Sequence, residues 1–149
     1  MTYWLCILNR ENWKTVYKKN IWGVSERHKN TIATVSVGDQ LLFYVVGEAI
    51  NGERLESAVC GRGEVVSDVY KDTKRIFKSA GKKREIYPLR IKLKNVVQFP
   101  QELRFKPLIS HLDFITNKRR WSGHIQGKAM RQIPEHDFNV IVRTAESLV

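Results

Sequence analysis

The sequence is short of cysteine, proline and acidic side chains, and it has no long apolar run. Its two cysteines, Cys6 and Cys60, exclude a disulfide framework and a cysteine-rich zinc site. Its apolar runs reach six residues, as in Leu41 to Val46, too few to carry a helix across a bilayer. The opening Met1-Thr2-Tyr3-Trp4 lacks the basic start and apolar stretch of a signal peptide, so a cytoplasmic protein with no membrane contact is expected. Both cysteines lie in apolar surroundings and are expected as buried, protonated thiols. No Gly-rich phosphate loop precedes a helix. No Gly-x-Ser-x-Gly elbow is present. His28, His111, His124 and His136 have no metal-ligand spacing. The carboxylates are scattered. No acid–base pair stands out. No catalytic residue, metal or cofactor is therefore expected, and a binding module is the cheaper hypothesis.

What the chain has is positive charge. Among 149 residues, 26 are Lys or Arg and 15 are Asp or Glu, a net +11. An excess of this size speaks of phosphates or another anionic partner. It is also patterned. Residues 1–60 carry seven basic and six acidic side chains, whereas residues 61–149 carry nineteen and nine. Lys118 to Arg131 holds Lys118, Arg119, Arg120, Lys128 and Arg131 with no acid, around Trp121, Ser122, Gly123 and Gly127. Cations around an aromatic plate suit nucleic acid; a solvated basic surface is the plainer alternative.

The length and the absence of a linker predict one domain, residues 1–149. Tyr3 to Leu8 reads as a buried strand. Asn9 can cap a helix over Arg10 to Lys19, with Trp13, Val16 and Tyr17 on one face. Ile21 to Val24 reads as a tight turn. Gln40 to Val46 and Ser57 to Val66 read as strands, separated by a polar hairpin loop over Gly47 to Glu56, with Gly61 and Gly63 suggesting a bulge or bend. Asp72 to Phe77 reads as a helical turn and Gly81 to Arg84 as a basic turn. Ile86 to Lys94 alternates apolar residues with Arg90, Lys92 and Lys94, a strand with one cationic face. Leu103 to Ile109 reads as an irregular or helical piece and Ala129 to Ile133 as a short half-apolar one. Pro134 opens a last helix, Glu135 to Leu148. The sum is an α+β domain with a curled, barrel-like sheet of five or six strands and flanking helices.

Trp4 and Trp13 fit a core. Trp22 and Trp121 sit in polar, Gly-flanked settings, where a ring either lids the core or stacks on a base, a contact worth about 1–3 kcal/mol. Asn9 offers a donor and an acceptor that can read a base edge, in competition with its role as a helix cap.

Tyr3-Trp4-Leu5-Cys6-Ile7-Leu8-Asn9-Arg10-Glu11-Asn12-Trp13, then Trp22-Gly23-Val24-Ser25-Glu26-Arg27-His28-Lys29-Asn30, resembles the EVE-domain family of the PUA-like superfamily. Val37-Gly38-Asp39, Tyr87-Pro88-Leu89-Arg90 and Leu112 to Lys118 before Trp121 follow in the family's order. The resemblance implies a PUA-like curved β-barrel and a pocket for a modified nucleobase in RNA or DNA. YTH domains of the same superfamily hold N6-methyladenine in an aromatic cage. By that comparison Asn9 and Trp22 fall on pocket positions. The second cage tryptophan has no counterpart, which leaves the preferred base open.

The expectation is thus a non-enzymatic, monomeric module that accepts one flipped or unpaired base. Trp22 stacks on it, Asn9 and the backbone of Gly23 and Val24 bind its edge, and Trp121 with Ser122 forms a second wall. Arg27, Lys29, Arg119, Arg120, Lys128 and Arg131 hold phosphates. The alternatives are a small nuclease like other PUA-like branches, with Asp39, Glu64 or Asp113 as its catalytic acid, and an RNA-associated assembly factor without a base pocket.

Overall fold

The structure is a computed structural model that describes residues 1–79 and 84–148. Residues 81–83 of the expected basic turn lie outside the described residues. The opening apolar run forms β1 (Tyr3–Leu8). Asn9 then adopts an extended backbone, and its side chain accepts from the Asn12 N–H at 2.8 Å, which starts α1 (Arg10–Lys19). Asn20, left-handed at φ 57°, ends that helix. The chain turns directly into β2 (Ile21–Val24). This corrects the expected tight turn: Ile, Trp and Val favour a pleated surface, and β2 pairs antiparallel with Leu89 to Lys92. A 3-10 turn (Glu26–His28) leads into the single turn α2 (Lys29–Ile32).

The strands β3 (Gln40–Val45) and β6 (Ala58–Val65) frame the expected polar loop. That loop is itself a small hairpin, β4 (Glu48–Ile50) with β5 (Glu53–Leu55). After the two-residue β7 (Tyr70–Lys71), the expected helical turn at Asp72 to Phe77 is irregular chain. The alternating strand grows into β8 (Leu89–Arg104), 16 residues long. Two 3-10 segments (Lys106–His111 and Trp121–His124), β9 (Met130–Ile133) and α3 (Glu135–Glu146) complete the chain.

The main sheet runs β2-β8-β6-β3-β1-β9, with β7 beside β8. Strands β1 and β3 are parallel, from Tyr3 opposite Gln40 to Leu8 opposite Val45. The first four residues of β8 pair with β2 and the stretch from Leu93 to Arg104 pairs with β6, so a single long strand spans both parts and curls the sheet into a half-barrel. The register of β6 against β8 shifts twice, between Arg62 and Glu64 around Gly63 and between Val59 and Gly61 at Gly61. An added Cβ there would lie 2.4 Å from Cη2 of Trp13, so only glycine lets the helix seat this indole on the strand. The terminal strands β2 and β9 do not pair, which leaves a seam along one side.

Side-chain alternation divides the core. Trp4, Cys6 and Leu8 of β1 join Leu41, Phe43 and Val45 of β3 in one cluster with Trp13, Val16 and Trp22. Leu5 of β1 and Leu42 and Tyr44 of β3 face the other cluster, with Phe105, Leu112 and the buried stripe of α3. A sheet covered on both faces explains why these strands read as unbroken apolar runs. Two exceptions correct the expectations. Tyr17 is 48% exposed and stacks on Trp13 rather than entering the core. Arg90, expected on a cationic outer face, is 1% exposed.

Candidate functional site

Position 22 decides the geometry. The expected open indole is instead 3% exposed. It packs edge-on to Phe43, with ring centroids 5.9 Å apart. The cause is β2: pairing with Ile91 draws Trp22 into the half-barrel. The ring nevertheless adjoins a cleft. A cavity of about 440 Å3 lies in the seam, bordered by Trp22 and Gly23 of β2 on one side and by Lys128 and Ala129, just before β9, on the other. Asn9 and Asn12 from the start of α1, and Phe77 and Tyr87 from the loops before β8, complete its walls. Its lining among the described residues contains Arg27, His28 and Lys128 and no carboxylate. Among the described residues, the Trp22 Nε1–H is the one buried side-chain polar group without a hydrogen-bond partner. A buried donor left unmade costs about 1–3 kcal/mol.

The walls are held by groups that the sequence did not single out. Asn12 grips the backbone of Lys78 with both ends of its amide, donating to the carbonyl at 2.9 Å and accepting from the N–H at 2.7 Å. That bond pair fastens the segment carrying Phe77 onto α1. Buried Arg90 donates to the carbonyls of Tyr87, Ile86 and Lys74. It also pairs with Asp72 at 3.5 Å and lies over the Phe77 ring, 5.7 Å from its centroid. The guanidinium thereby folds the two loops into one wall. Its burial is sustained because five donors meet enough acceptors. Gly23 completes the cradle: a Cβ there would lie 3.0 Å from both Cε2 of Phe77 and the Tyr87 carbonyl oxygen.

The other expected site residues distribute unevenly. Asn9 lines the cavity but spends its Oδ1 on capping α1, leaving its Nδ2 for another acceptor. Val24 is wholly buried and does not border the cavity. Trp121 and Ser122 border a neighbouring cavity instead, so the expected second wall beside Trp22 is supplied by Phe77 and Tyr87. Trp121 rests on Phe105, ring centroids 5.5 Å apart. Arg27 and Lys128 stand at the Trp22 cavity, while Lys29, Arg119 and Arg120 are exposed outside it. Arg131 is already engaged: it lies over Phe114, 4.7 Å from the ring centroid, and donates to the carbonyls of His124 and Gln132. Burial and the charge of Arg27 hold the His28 imidazole below its usual pKa, and its Nε2 accepts from Arg27 Nε at 3.2 Å.

The candidate acids of a nuclease are occupied elsewhere. Asp39 is buried and accepts from Trp4 Nε1 at 3.0 Å and from the Thr2 and Ser36 amides. Glu64 accepts from Gln40 and pairs with Lys94. Asp113 lies beside His136 and Asp137, the latter with its two oxygens accepting from the Asp113 and Phe114 amides. That trio is the single cluster of metal-type ligands among the described residues, and its bonds are those of a helix-to-loop clasp. Cys6 and Cys60 are buried free thiols whose pKa burial pushes up. No described helix is long and apolar enough to cross a membrane.

Comparison with known proteins places this geometry. Residues 2–144 match the family model of the EVE domain. A UPF0310 protein of Pyrococcus abyssi is 52% identical over 141 residues, covering 95% of this chain and 97% of that protein. Human THYN1, solved in complex with DNA containing 5-methylcytosine, superposes with a TM-score of 0.63 at 13% identity, covering 98% of both chains. The MmI1 YTH domain superposes with a TM-score of 0.57 at 14% identity, covering 99% of this chain and 98% of its own. The shared architecture is the curled PUA-like half-barrel.

Proposed function

Because the chain belongs to the EVE-domain family, we propose that it is a nucleic-acid-binding module whose seam cavity accepts one unpaired or flipped base, carrying a modification. The observation that carries this reading is the orphaned Trp22 Nε1–H beside a cation-lined cavity free of carboxylates. Trp22 donates to the base rather than lying open as a plate. Phe77 and Tyr87 provide the apolar walls against which a flat heterocycle packs. The Asn9 Nδ2 and the Gly23 backbone address its edge. Arg27 and Lys128 hold the flanking phosphates, with Lys29, Arg119 and Arg120 further along the strand. THYN1, bound to methylcytosine DNA, supports a modified base as the class of ligand. Withdrawing a base from a duplex costs a few kcal/mol, so single strands and distorted sites bind best.

The test is a panel of labelled nine-nucleotide single strands, in RNA and DNA, with cytosine, 5-methylcytosine, adenine or N6-methyladenine at the centre. Binding is read by fluorescence anisotropy. At least one modified centre is expected to bind roughly tenfold tighter than its parent. Trp22→Phe, which keeps a ring but removes the N–H, is expected to narrow that ratio while charge-driven binding persists. Equal affinity across the whole panel would favour a basic RNA-docking factor and refute the base pocket.

A further inference from the structure

We propose that the seam is a two-compartment cleft that holds two consecutive nucleotides of one strand, with their linking phosphate against Lys128. The proposal rests on the base-binding reading above and extends it. A second cavity, of about 580 Å3, adjoins the first. Both are within the size range of small-ligand sites. They share Ile7, Val46, Gly127 and Lys128 as a common wall. The wall is the rim where the parallel strands β1 and β3 end, at Leu8 and Val45. The alternation of β1 sends Leu8 to the core of the first compartment and Ile7 to that of the second. A strand that crosses this rim therefore meets one cavity on each side of it.

The second compartment has the chemistry of a nucleotide site in its own right. Trp121, braced by Phe105, and Tyr44 offer aromatic surface. Ser57, Ser122 and Gln126 add donors and acceptors, and Arg54, Lys106 and Lys128 supply charge. Its one carboxylate, Glu56, is held by Arg104 and so is already neutralised. Lys128 belongs to both linings, is exposed, and makes no ion pair among the described residues. Gly127, left-handed at φ 77°, turns the chain there and sets Lys128 on the divide. A cation over the divide and a ring on either side match the repeat of phosphate and base along a single strand.

The experiment takes the best-binding nine-nucleotide strand and replaces the base on the 5′ or 3′ side of the central one by an abasic site. Wild-type protein is expected to lose roughly tenfold in affinity for one of the two replacements, the loss of one stacked base. For Trp121→Leu the same replacement is expected to cost less than about twofold, because the contact is already gone. As a second measure, an uncharged methylphosphonate at the linkage on that side is expected to weaken wild-type binding and to leave Lys128→Gln unaffected. Lys128 is a surface side chain, so that variant keeps the fold. If wild-type protein still selects its central base but ignores both abasic neighbours, the two-nucleotide cleft is overturned while the base pocket stands. If no central base is selected at all, the underlying reading fails instead.

Discussion

Arg90 shows how much of the site depends on a side chain that touches none of its ligands. Strand alternation assigns it to solvent with Lys92 and Lys94, and those two do lie outside. Arg90 turns inward because three carbonyls and Asp72 await it. Periodicity reports which face a residue is on, not whether loops fold back over that face, so this burial was not legible. Arg90→Met fills similar volume but leaves those acceptors unmade. It is expected to cost about 3 kcal/mol in urea denaturation. Gly23→Ala is expected to cost about 1–3 kcal/mol by crowding Phe77 and Tyr87, and to weaken base-selective binding more than the salt-sensitive background. His136 gives a pH signature: the hydrogen bond to Asp137, and then the charge of Asp113, raise its pKa. A raised histidine contributes stability that is fully present below its unfolded pKa, about 6.5. That contribution is lost as pH rises through the higher folded value. Melting curves for wild type and His136→Gln are expected to converge above that value and to separate in mild acid. Proton NMR of the ring is expected to show a midpoint above that of a free histidine.

The elements divide by how much of their cause is local. The first strand, its Asn9 cap, α1 and the Pro134-led α3 carry their signals in a few adjacent residues, and all lie where the sequence puts them. Strand β2 was missed because four residues give no period; its cause is Ile91 on another strand. The alternation that marks β8 is legible only to Lys94; Asn95, left-handed at φ 52°, interrupts it, although pairing with β6 continues to Arg104. The cavity walls follow the same rule. Asn9 and Trp22 were legible as candidates, whereas Phe77 and Tyr87 acquire their place only through Asn12 and Arg90. Asn12→Ala, which releases the backbone of Lys78, is expected to loosen that wall. Trypsin cleavage after Lys74, Arg75 or Lys78 is expected to accelerate several-fold, while global stability falls by about 1–2 kcal/mol.

For the molecule as a whole, the charge was legible in sum but not in use. Arg131 lies in the same basic stretch as Lys128, yet one is enclosed over Phe114 and the other stands free on the divide. Lysine and arginine counts cannot separate the two. The net +11 predicts binding that weakens steeply with salt. Replacing Arg27 and Lys128 together by glutamine is expected to lower the slope of log affinity against log salt by about 1.4, two single-strand phosphate contacts. Arg131→Gln is expected to leave that slope unchanged and to act on stability instead. The unpaired ends of the sheet carry a further consequence. A fully closed barrel would be finished without a ligand, but here β2 and β9 do not pair, and on the proposed reading a bound strand would be the keystone of the arch. Binding and resistance to unfolding are then two measures of one equilibrium. Saturating oligonucleotide is expected to raise the melting temperature and to slow amide exchange along those two outer strands before it alters exchange in β3 and β6 at the centre.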